Sequence, residues 1–189
     1  MLRDANWLNY TRAVFGKCFV PYLLEDKRPI VLDTDILPRA DISALAEWEI
    51  PTNHPFAGFR LENWKDPEYR VKNGLKNLNG GVLVWNRDRA VAQVPFAKLQ
   101  ETMRKTAHFA KFPDEDLLLF AFGNDWTLLP GSWNHIYGTF SNHQQVRFIV
   151  NLKPWQHEAT RPEYGAFSAF LANGEMPITQ PETTFFRIT

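Results

Sequence analysis

Strand-like and helix-like patterns of apolar residues alternate along most of the chain. Short apolar runs between turn residues predict strands at 29–33, 56–61, 80–86 and 147–150. Apolar residues at helical spacing predict helices at 6–24, 41–48, 96–109, from Asp114 onward and at 164–171. The segment 62–78 is rich in charged residues and asparagine, so we expect a solvated connection there. The alternation indicates an α/β layer fold, and because no linker interrupts it we expect one domain over residues 1–189.

Composition and charge exclude several classes of protein. The chain has 189 residues, of which 44% are hydrophobic, which is enough for one sizeable core. Lys plus Arg and Asp plus Glu both number 21, so no excess charge draws the protein to nucleic acid or to an anionic membrane. Cys18 is the single cysteine, which excludes an intramolecular disulfide and fits a reducing compartment. No apolar run approaches the ~20 residues of a membrane span, and the N-terminus lacks a signal-peptide pattern, so we expect a cytoplasmic protein.

Two carboxylates follow the first predicted strand. Asp33 and Asp35 come directly after the apolar run 29–32, and we expect them at the carboxyl end of a buried central strand, where α/β sheets bind ligands. On an extended backbone, side chains two residues apart point the same way, so both can face one ion. Oxygen ligands suit Mg²⁺ or Mn²⁺, which can bridge to nucleotide phosphates. The alternative is an acidic turn that closes the strand.

Four motifs occur in a fixed order along the chain. They are Leu32-Asp33-Thr34-Asp35, Asn79-Gly80-Gly81-Val82-Leu83, Asp114-Glu115-Asp116-Leu117-Leu118 and Lys153-Pro154-Trp155. This order resembles glycosyltransferase family 8, the group that includes glycogenin and bacterial lipopolysaccharide galactosyl- and glucosyltransferases. The family blocks read approximately YLDxD, FNxGVLLxN, DQD and HFxGxxKPW, and the resemblance runs from about Tyr10 to Trp155. It implies a GT-A-like nucleotide-diphospho-sugar transferase fold, an N-terminally shortened mixed sheet flanked by helices. The implied activity is retaining transfer of a hexose from a UDP-sugar donor to a sugar or glycan acceptor.

The resemblance also implies which residues hold the donor diphosphate. Asp33 and Asp35 match the acidic pair that holds Mn²⁺, or Mg²⁺, on it, and the ion neutralises the charge of the leaving group. Arg12 falls where the family has an arginine near the donor, and Lys153 matches a lysine on the diphosphate. The alternatives are a solvated helix residue for Arg12 and a surface charge for Lys153.

Three further residues match positions beside the donor sugar. Asn79 matches an asparagine that contacts donor or acceptor, whereas the alternative is a plain turn at Asn79-Gly80-Gly81. Asp114 and Glu115 match the family's Asp-Gln pair, with Glu in place of Gln. A carboxylate there could stabilise positive charge on the sugar or attack its anomeric carbon. The alternative is an acidic first helical turn, favoured by the helix dipole and capped by Asp114.

The last motif departs from the family pattern. The family's metal-binding histidine falls on Arg147, and its phosphate-approaching glycine falls on Val150. Arg stays protonated and cannot ligate a metal, but it can supply positive charge to phosphate. His143 lies four residues earlier and is a candidate third ligand. We therefore expect weak binding of Mn²⁺ to the protein alone.

The front of the chain is short for this family. Only 32 residues precede Asp33, where the family has roughly a hundred that carry the nucleotide-base site, so the chain matches the C-terminal two thirds of the family domain. We expect weak UDP-sugar binding, little transferase activity and self-association through a sheet edge beside Ile30–Leu32. A truncated reading frame, a second chain that replaces the missing part and a degenerate, non-catalytic relative all remain open. A different phosphotransferase is disfavoured because no glycine-rich phosphate loop is present.

Overall fold

A computed structural model describes residues 12–34, 36–38, 41–60, 67–134 and 145–147. The contacts divide the chain into two compact units. The first contains Leu32 and the residues before it, together with Leu45–Leu129. The second contains Asp33–Ala44 and the residues from Pro130 onward. The prediction of a single domain stays a prediction, and the two units are described separately below.

The described residues form six strands and six α-helices. The strands are β1 (Ile30–Leu32), β2 (Ile36–Pro38), β3 (Phe56–Arg60), β4 (Leu78–Trp85), β5 (Thr127–Leu128) and β6 (Gln145–Arg147). The helices are α1 (Gly16–Leu23), α2 (Ser43–Ala46), α3 (Pro67–Lys72), α4 (Arg87–Gln93), α5 (Phe96–Thr106) and α6 (Pro113–Phe122). Two 3₁₀ turns cover Arg12–Phe15 and Gly131–Trp133. In the part of the chain that is described, no helix has the length and apolar character needed to cross a membrane.

A mixed four-stranded sheet forms the centre of the first unit. Its order is β1-β4-β3-β5, in which β4 is antiparallel to both neighbours and β5 is parallel to β3. Strand β4 has a partner on each side and is buried along its whole length. Strand β1 pairs only with β4 among the described strands, and its three residues are half-buried. The prediction that Asp33 follows a buried central strand is therefore wrong, because the longer run that ends at Trp85 takes the central place.

A bulge interrupts β4 at its paired glycines. Gly58 of β3 faces Leu83, whereas the next residue, Phe59, faces Asn79, so residues 80–82 have no counterpart on β3. Gly58 makes the close pairing possible, since a Cβ at this position would lie 2.8 Å from a methyl carbon of Leu78. The alternative of a plain turn at the paired glycines is wrong, because they lie inside a strand. Bulges re-aim the backbone and often occur beside functional sites.

The core lies between the sheet and helices α1, α5 and α6. Phe56 makes edge-to-face contacts with Trp85 and Phe122 and stacks on Trp126, with ring centroids 5.3–6.1 Å apart. Helix α6 buries most of its length, including three consecutive leucines at 117–119. A helix that is apolar on all sides must be enclosed by other elements. Its acidic first turn is therefore drawn into the interior with it.

Helix α6 is capped differently from the prediction. Its N-cap is Phe112, whose side chain makes no capping bond, and Pro113 occupies the first helical position. The carboxylate of Asp116 instead reaches back and accepts hydrogen bonds from the backbone N–H groups of Lys111 and Phe112, at 2.8 and 3.0 Å. The expectation that Asp114 caps the helix is wrong. Because it does not cap α6, the Asp114 carboxylate can contact a residue of another element.

Other predicted elements differ in extent. The segment expected to be a solvated connection contains α3, whose Tyr69 and Arg70 are buried. The helix expected over residues 41–48 is reduced to α2, although Asp41 accepts a hydrogen bond from Ser43 N at 2.7 Å near its start. Residues 148–150 of the predicted late strand and the helix predicted at 164–171 lie outside the described residues.

The second unit contains a two-stranded antiparallel ribbon. Strands β2 and β6 pair so that Ile36 lies opposite Arg147. The carbonyl of Asp33 accepts a hydrogen bond from Ile36 N at 3.1 Å, which closes a turn before β2. The pairing therefore brings the backbone of Arg147 opposite a residue only three positions after Asp33.

Candidate functional site

The acidic first turn of α6 meets the bulge of β4. The backbone N–H of Gly80 donates to the Glu115 carboxylate, with N and Oε1 3.3 Å apart. A Cβ on Gly80 would lie 3.1 Å from Asp114 Oδ2, which is closer than ordinary van der Waals contact. The absence of a side chain at Gly80 therefore allows two motifs 35 residues apart to touch.

Asn79 is the neighbour of Gly80 in the same motif. Its side chain is buried, and its Oδ1 accepts a hydrogen bond from Gly81 N at 2.9 Å. The contacts of Gly80 with Glu115 and Asp114 bring the motif that contains Asn79 against the turn that carries the other two residues predicted beside the donor sugar. The roles of all three residues stay predictions.

Lys17 of α1 contacts both Asp114 and the backbone of Gly80. Its Nζ lies 2.9 Å from Asp114 Oδ2 and donates to the Gly80 carbonyl at 3.1 Å. The side chains of Lys17 and Asp114 are only 9% and 13% exposed. Burial of both partners makes this ion pair less screened than a surface pair. The sequence analysis missed Lys17, since one lysine in a helix carries no signal of a distant partner.

Arg70 of α3 pairs with the other two carboxylates of the turn, those of Glu115 and Asp116. Its Nη1 lies 2.7 Å from Asp116 Oδ1, and its Nη2 lies 3.5 Å from Glu115 Oε2. The Tyr69 hydroxyl donates to Asp116 Oδ2 at 2.6 Å. The guanidinium also lies 5.0 Å from the centre of the Phe112 ring, a cation–π distance. Asp116 is therefore a structural residue that joins α3 to α6.

The sequence contained an indirect signal for Arg70. Three carboxylates in a row form the first turn of a helix whose remaining residues are all apolar, so they are buried with it. Buried carboxylates require cations or several hydrogen-bond donors. That requirement could have prompted a search for cations elsewhere in the chain, but it could not have identified which ones.

Among the described groups of the cluster, formal negative charges outnumber positive ones. Lys17 and Arg70 contribute two positive charges, and Asp114, Glu115 and Asp116 contribute three negative charges. A buried cluster of this sign favours a positively charged group beside it. This is the charge that develops on a sugar ring when its glycosidic bond to a leaving group breaks.

The environment of the cluster changes the pKa of two neighbouring groups. Burial, and then the nearby Asp114 carboxylate, raise the pKa of the Cys18 thiol well above its usual range, while Lys17 acts in the opposite direction. Burial and the hydrogen bond to Asp116 raise the pKa of the Tyr69 hydroxyl. Both groups are therefore neutral at physiological pH.

The residues predicted to hold the diphosphate are only partly described. Asp33 is half-buried and belongs to the second unit, as does the backbone of Arg147. The backbone of Arg12 lies in the first 3₁₀ turn, and its side chain is not described. Asp35, His143, Val150 and Lys153 lie outside the described residues. The predicted convergence of Lys153 with the sugar-site residues therefore stays a prediction.

The fit of a divalent cation rests on the chemistry of these residues. Across residues 12–34, 36–38, 41–60, 67–134 and 145–147, no group of three His, Cys, Asp or Glu side chains could hold a metal ion. Asp33 offers the oxygen ligands that Mn²⁺ and Mg²⁺ prefer, and Asp35 would offer more. The backbone of Arg147 pairs opposite Ile36, and an arginine side chain is not a metal ligand. Asp33 and Asp35 therefore have the ligand chemistry for such an ion, and a metal site at these residues stays a prediction.

Comparisons with known proteins identify the family of the chain. Residues 5–159 match the family model described as glycosyl transferase family 8. The glycosyltransferase GlyB of Streptococcus pneumoniae is 24% identical over 167 residues, a match that covers 78% of this chain and 39% of GlyB. The chain thus spans about two fifths of the length of that relative.

Solved structures share the fold. GlyE of Streptococcus pneumoniae superposes with a TM-score of 0.67 at 17% identity, over 82% of this chain and 42% of GlyE. The bifunctional glycosyltransferase WbbM gives 0.71 at 19% identity, over 89% and 36% of the two chains. The galactosyltransferase LgtC, solved with donor and acceptor sugar analogues, gives 0.69 at 16% identity, over 89% and 68%. These matches confirm the predicted GT-A-like α/β fold.

Proposed function

The chain belongs to glycosyltransferase family 8, and we propose that it transfers a hexose from a UDP-sugar to a hydroxyl of a sugar or glycan, with retention at the anomeric carbon. The observation that carries the proposal is the meeting of two family motifs at the Gly80 bulge. That contact brings Asp114 and Glu115 to the backbone of Gly80, the residue after Asn79, although the two motifs are 35 residues apart. LgtC, which shares the fold, was solved with donor and acceptor sugar analogues and supports the choice of substrates.

Asp114 and Asn79 would bind the donor sugar. Both offer oxygen atoms that accept hydrogen bonds from sugar hydroxyls, and Asn79 also offers N–H donors. Asp114 keeps some exposure and is fixed by Lys17, so its orientation is set before the donor arrives. Preorganised groups of this kind lower the entropic cost of binding.

Glu115 would act through its charge rather than as a nucleophile. Its Oε1 accepts a hydrogen bond from Gly80 N, and its Oε2 faces Arg70. Attack on the sugar would require one oxygen to leave these partners. Stabilisation of positive charge on the anomeric carbon needs no such movement, and the excess of negative charges among the described groups of the cluster favours it.

The diphosphate of the donor would be held by the residues that match the family's metal-binding and phosphate-binding positions. Asp33 and Asp35 would hold Mn²⁺ or Mg²⁺, and Arg12 and Lys153 would contact phosphate oxygens. When bound, the ion would neutralise the charge that builds on the leaving UDP. Arg147, opposite Ile36 in the ribbon, would add positive charge where the family has a metal-binding histidine.

Binding and turnover of defined donors test the proposal. The purified chain is titrated calorimetrically with UDP, UDP-glucose and UDP-galactose in the presence of Mn²⁺, and UDP release is followed by chromatography. Because the sequence predicts weak donor binding, the titration extends to millimolar donor. We expect Asp33→Asn to weaken binding of all three nucleotides and Asp114→Asn to weaken only the two UDP-hexoses.

The control is Lys98→Met, which removes an exposed cation of α5 and should change nothing. If the wild-type chain bound none of the three nucleotides, the proposal would be wrong. The second candidate, a non-catalytic relative of these enzymes, would then stand. Arg147 and Val150 in place of the family's histidine and glycine are the observations that favour it.

A further inference from the structure

We infer that Arg70 of α3 is a positioning residue for Glu115, whose negative charge it keeps available to the donor sugar. The inference rests on the proposed function, because Glu115 belongs to the same site. It gives a functional role to a residue that lies outside all four sequence motifs. It also accounts for a departure from the family pattern, a glutamate where the matching motif has a neutral glutamine.

A buried glutamate at this position needs a cation close by. Glu115 is buried between Asp114 and Asp116 in the first turn of α6. A buried carboxyl group with like charges beside it takes up a proton unless a positive charge offsets them. Lys17 lies 2.9 Å from Asp114 Oδ2 and so compensates that carboxylate. A glutamine in place of Glu115 would carry no charge and would have no such need.

Arg70 supplies a positive charge to Glu115. Its Nη2 lies 3.5 Å from Glu115 Oε2, and the two side chains are 3% and 6% exposed. Because both groups are shielded from water, salt screens their attraction little. The opposite oxygen of the carboxylate accepts a hydrogen bond from Gly80 N at 3.3 Å. The Glu115 carboxylate is thus held between α3 and the bulge of β4.

The fork of the guanidinium allows one side chain to pair with two carboxylates. Nη1 of Arg70 lies 2.7 Å from Asp116 Oδ1, whereas Nη2 faces Glu115. Arginine presents its donors in a rigid planar fork, but lysine is a single charge on a flexible stem. A lysine at residue 70 should therefore keep the shorter contact, with Asp116, and lose the longer one, with Glu115. Arg70→Lys thus separates the functional contact from the structural one.

Turnover in a double-mutant cycle tests the inference. UDP release from UDP-glucose and UDP-galactose in the presence of Mn²⁺ is followed by chromatography for the wild type, Arg70→Lys, Glu115→Gln and the double variant. Arg70→Lys should lower kcat about tenfold and leave KM within about twofold, because the charge of Glu115 acts on the transition state. With glutamine at residue 115, the same substitution should change kcat less than about twofold, since no charge remains to be held.

Tyr69→Phe is the matched control. It removes a hydroxyl that donates to Asp116 and leaves both partners of the Arg70–Glu115 pair in place. Its effect on kcat should be the same with glutamate or glutamine at residue 115, as a purely structural role requires. Urea midpoints measured on every variant show which of them are folded.

A second variant covers the case in which Arg70→Lys fails to fold. Arg70→Gln with Asp116→Asn exchanges the buried ion pair for two neutral amides and still deprives Glu115 of its cation. Its kcat is compared with that of Asp116→Asn alone, again with glutamate and with glutamine at residue 115. The loss should occur only with glutamate.

The outcomes separate the inference from the proposed function. An unchanged kcat in Arg70→Lys, or an equal loss with glutamate and glutamine at residue 115, would overturn the inference and leave the proposed function standing. A wild-type chain that binds the UDP-hexoses in calorimetric titration but releases no UDP would do the same. A wild-type chain that binds neither UDP nor the UDP-hexoses would overturn both.

Discussion

Arg70 and Asp116 form an ion pair inside the protein, with Nη1 and Oδ1 2.7 Å apart and side chains that are 3% and 0% exposed. The pair joins α3, in a segment whose composition suggests solvent, to the start of the most buried helix. Asp116 also accepts hydrogen bonds from Tyr69 and from two backbone N–H groups. Asp116 therefore fixes the acidic turn that carries Asp114 and Glu115 to α3 and to the backbone before α6.

Arg70→Met should destabilise the fold strongly. It leaves Asp116 and Glu115 buried without their cation, and loss of one partner of a buried pair costs about 3–5 kcal/mol. Urea denaturation followed by circular dichroism measures the loss. Lys98→Met, which breaks an exposed pair, should change stability by less than about 0.5 kcal/mol. A loss below about 1 kcal/mol in Arg70→Met would contradict the structural role given to the pair.

Glu115→Gln should separate charge from packing. The amide keeps an oxygen that can accept from Gly80 N, but its NH2 group then faces the Arg70 guanidinium, which stays paired with Asp116, so we expect a loss of stability of about 1–3 kcal/mol. If Glu115 stabilises positive charge on the sugar, UDP release from a UDP-hexose should fall by about 10²-fold or more. Chromatographic assay of UDP, with the urea midpoint measured on the same samples, checks both. Unchanged turnover would exclude the electrostatic role.

Gly80→Ala should disturb the cluster, whereas Gly16→Ala should not. A Cβ on Gly80 would lie 3.1 Å from Asp114 Oδ2, an atom held by Lys17, while a Cβ on Gly16 would meet nothing within 4 Å. We expect Gly80→Ala to lose about 1–3 kcal/mol, as overpacked sites do. Gly16→Ala, at the start of α1, should be neutral or slightly stabilising. Equal urea midpoints for the two variants would show that the bulge accommodates a Cβ at residue 80 without strain.

Cys18 should be unreactive in the folded protein. It is fully buried, and burial together with Asp114 raises the pKa of its thiol, so the reactive thiolate is scarce even at pH 8. Iodoacetamide followed by intact-mass measurement should label the denatured chain completely and the native chain much more slowly. Because Cys18 is the single cysteine, each labelled molecule reports on this site alone. Rapid labelling of the native protein would show that the contact between α1 and α6 opens readily.

Tyr22 should make stability depend on alkaline pH. Its hydroxyl donates to the Val94 carbonyl, and burial raises the pKa of the hydroxyl to about 12. In the unfolded chain the same group ionises near pH 10, so its contribution is complete below about pH 10 and is lost as the pH rises towards 12. Urea midpoints at pH 9 and pH 11 should fall less for Tyr22→Phe than for the wild type. The same fall in both proteins would exclude Tyr22 as a source of the dependence.

Much of the local structure follows from short-range pattern. Strands β3 and β4 and helices α5 and α6 lie where apolar runs and helically spaced apolar residues predict them, because a buried apolar segment needs a regular backbone that satisfies its own hydrogen bonds. The α/β class and the family motifs were also evident from sequence. The central place of β4 was not, because the number of partners of a strand depends on which other strands pair with it rather than on its own residues.

The sequence by itself determined the chemistry available at the candidate site: a pair of glycines, a run of three carboxylates and the order of the motifs. Only the tertiary structure decided how that chemistry is shared. The bulge of β4 brings Gly80 to Glu115. Lys17 pairs with Asp114, and Arg70 pairs with Glu115. Charges interact through space and not along the chain, so the partner of a buried carboxylate is set by which helices pack against its own. No local pattern contains that information.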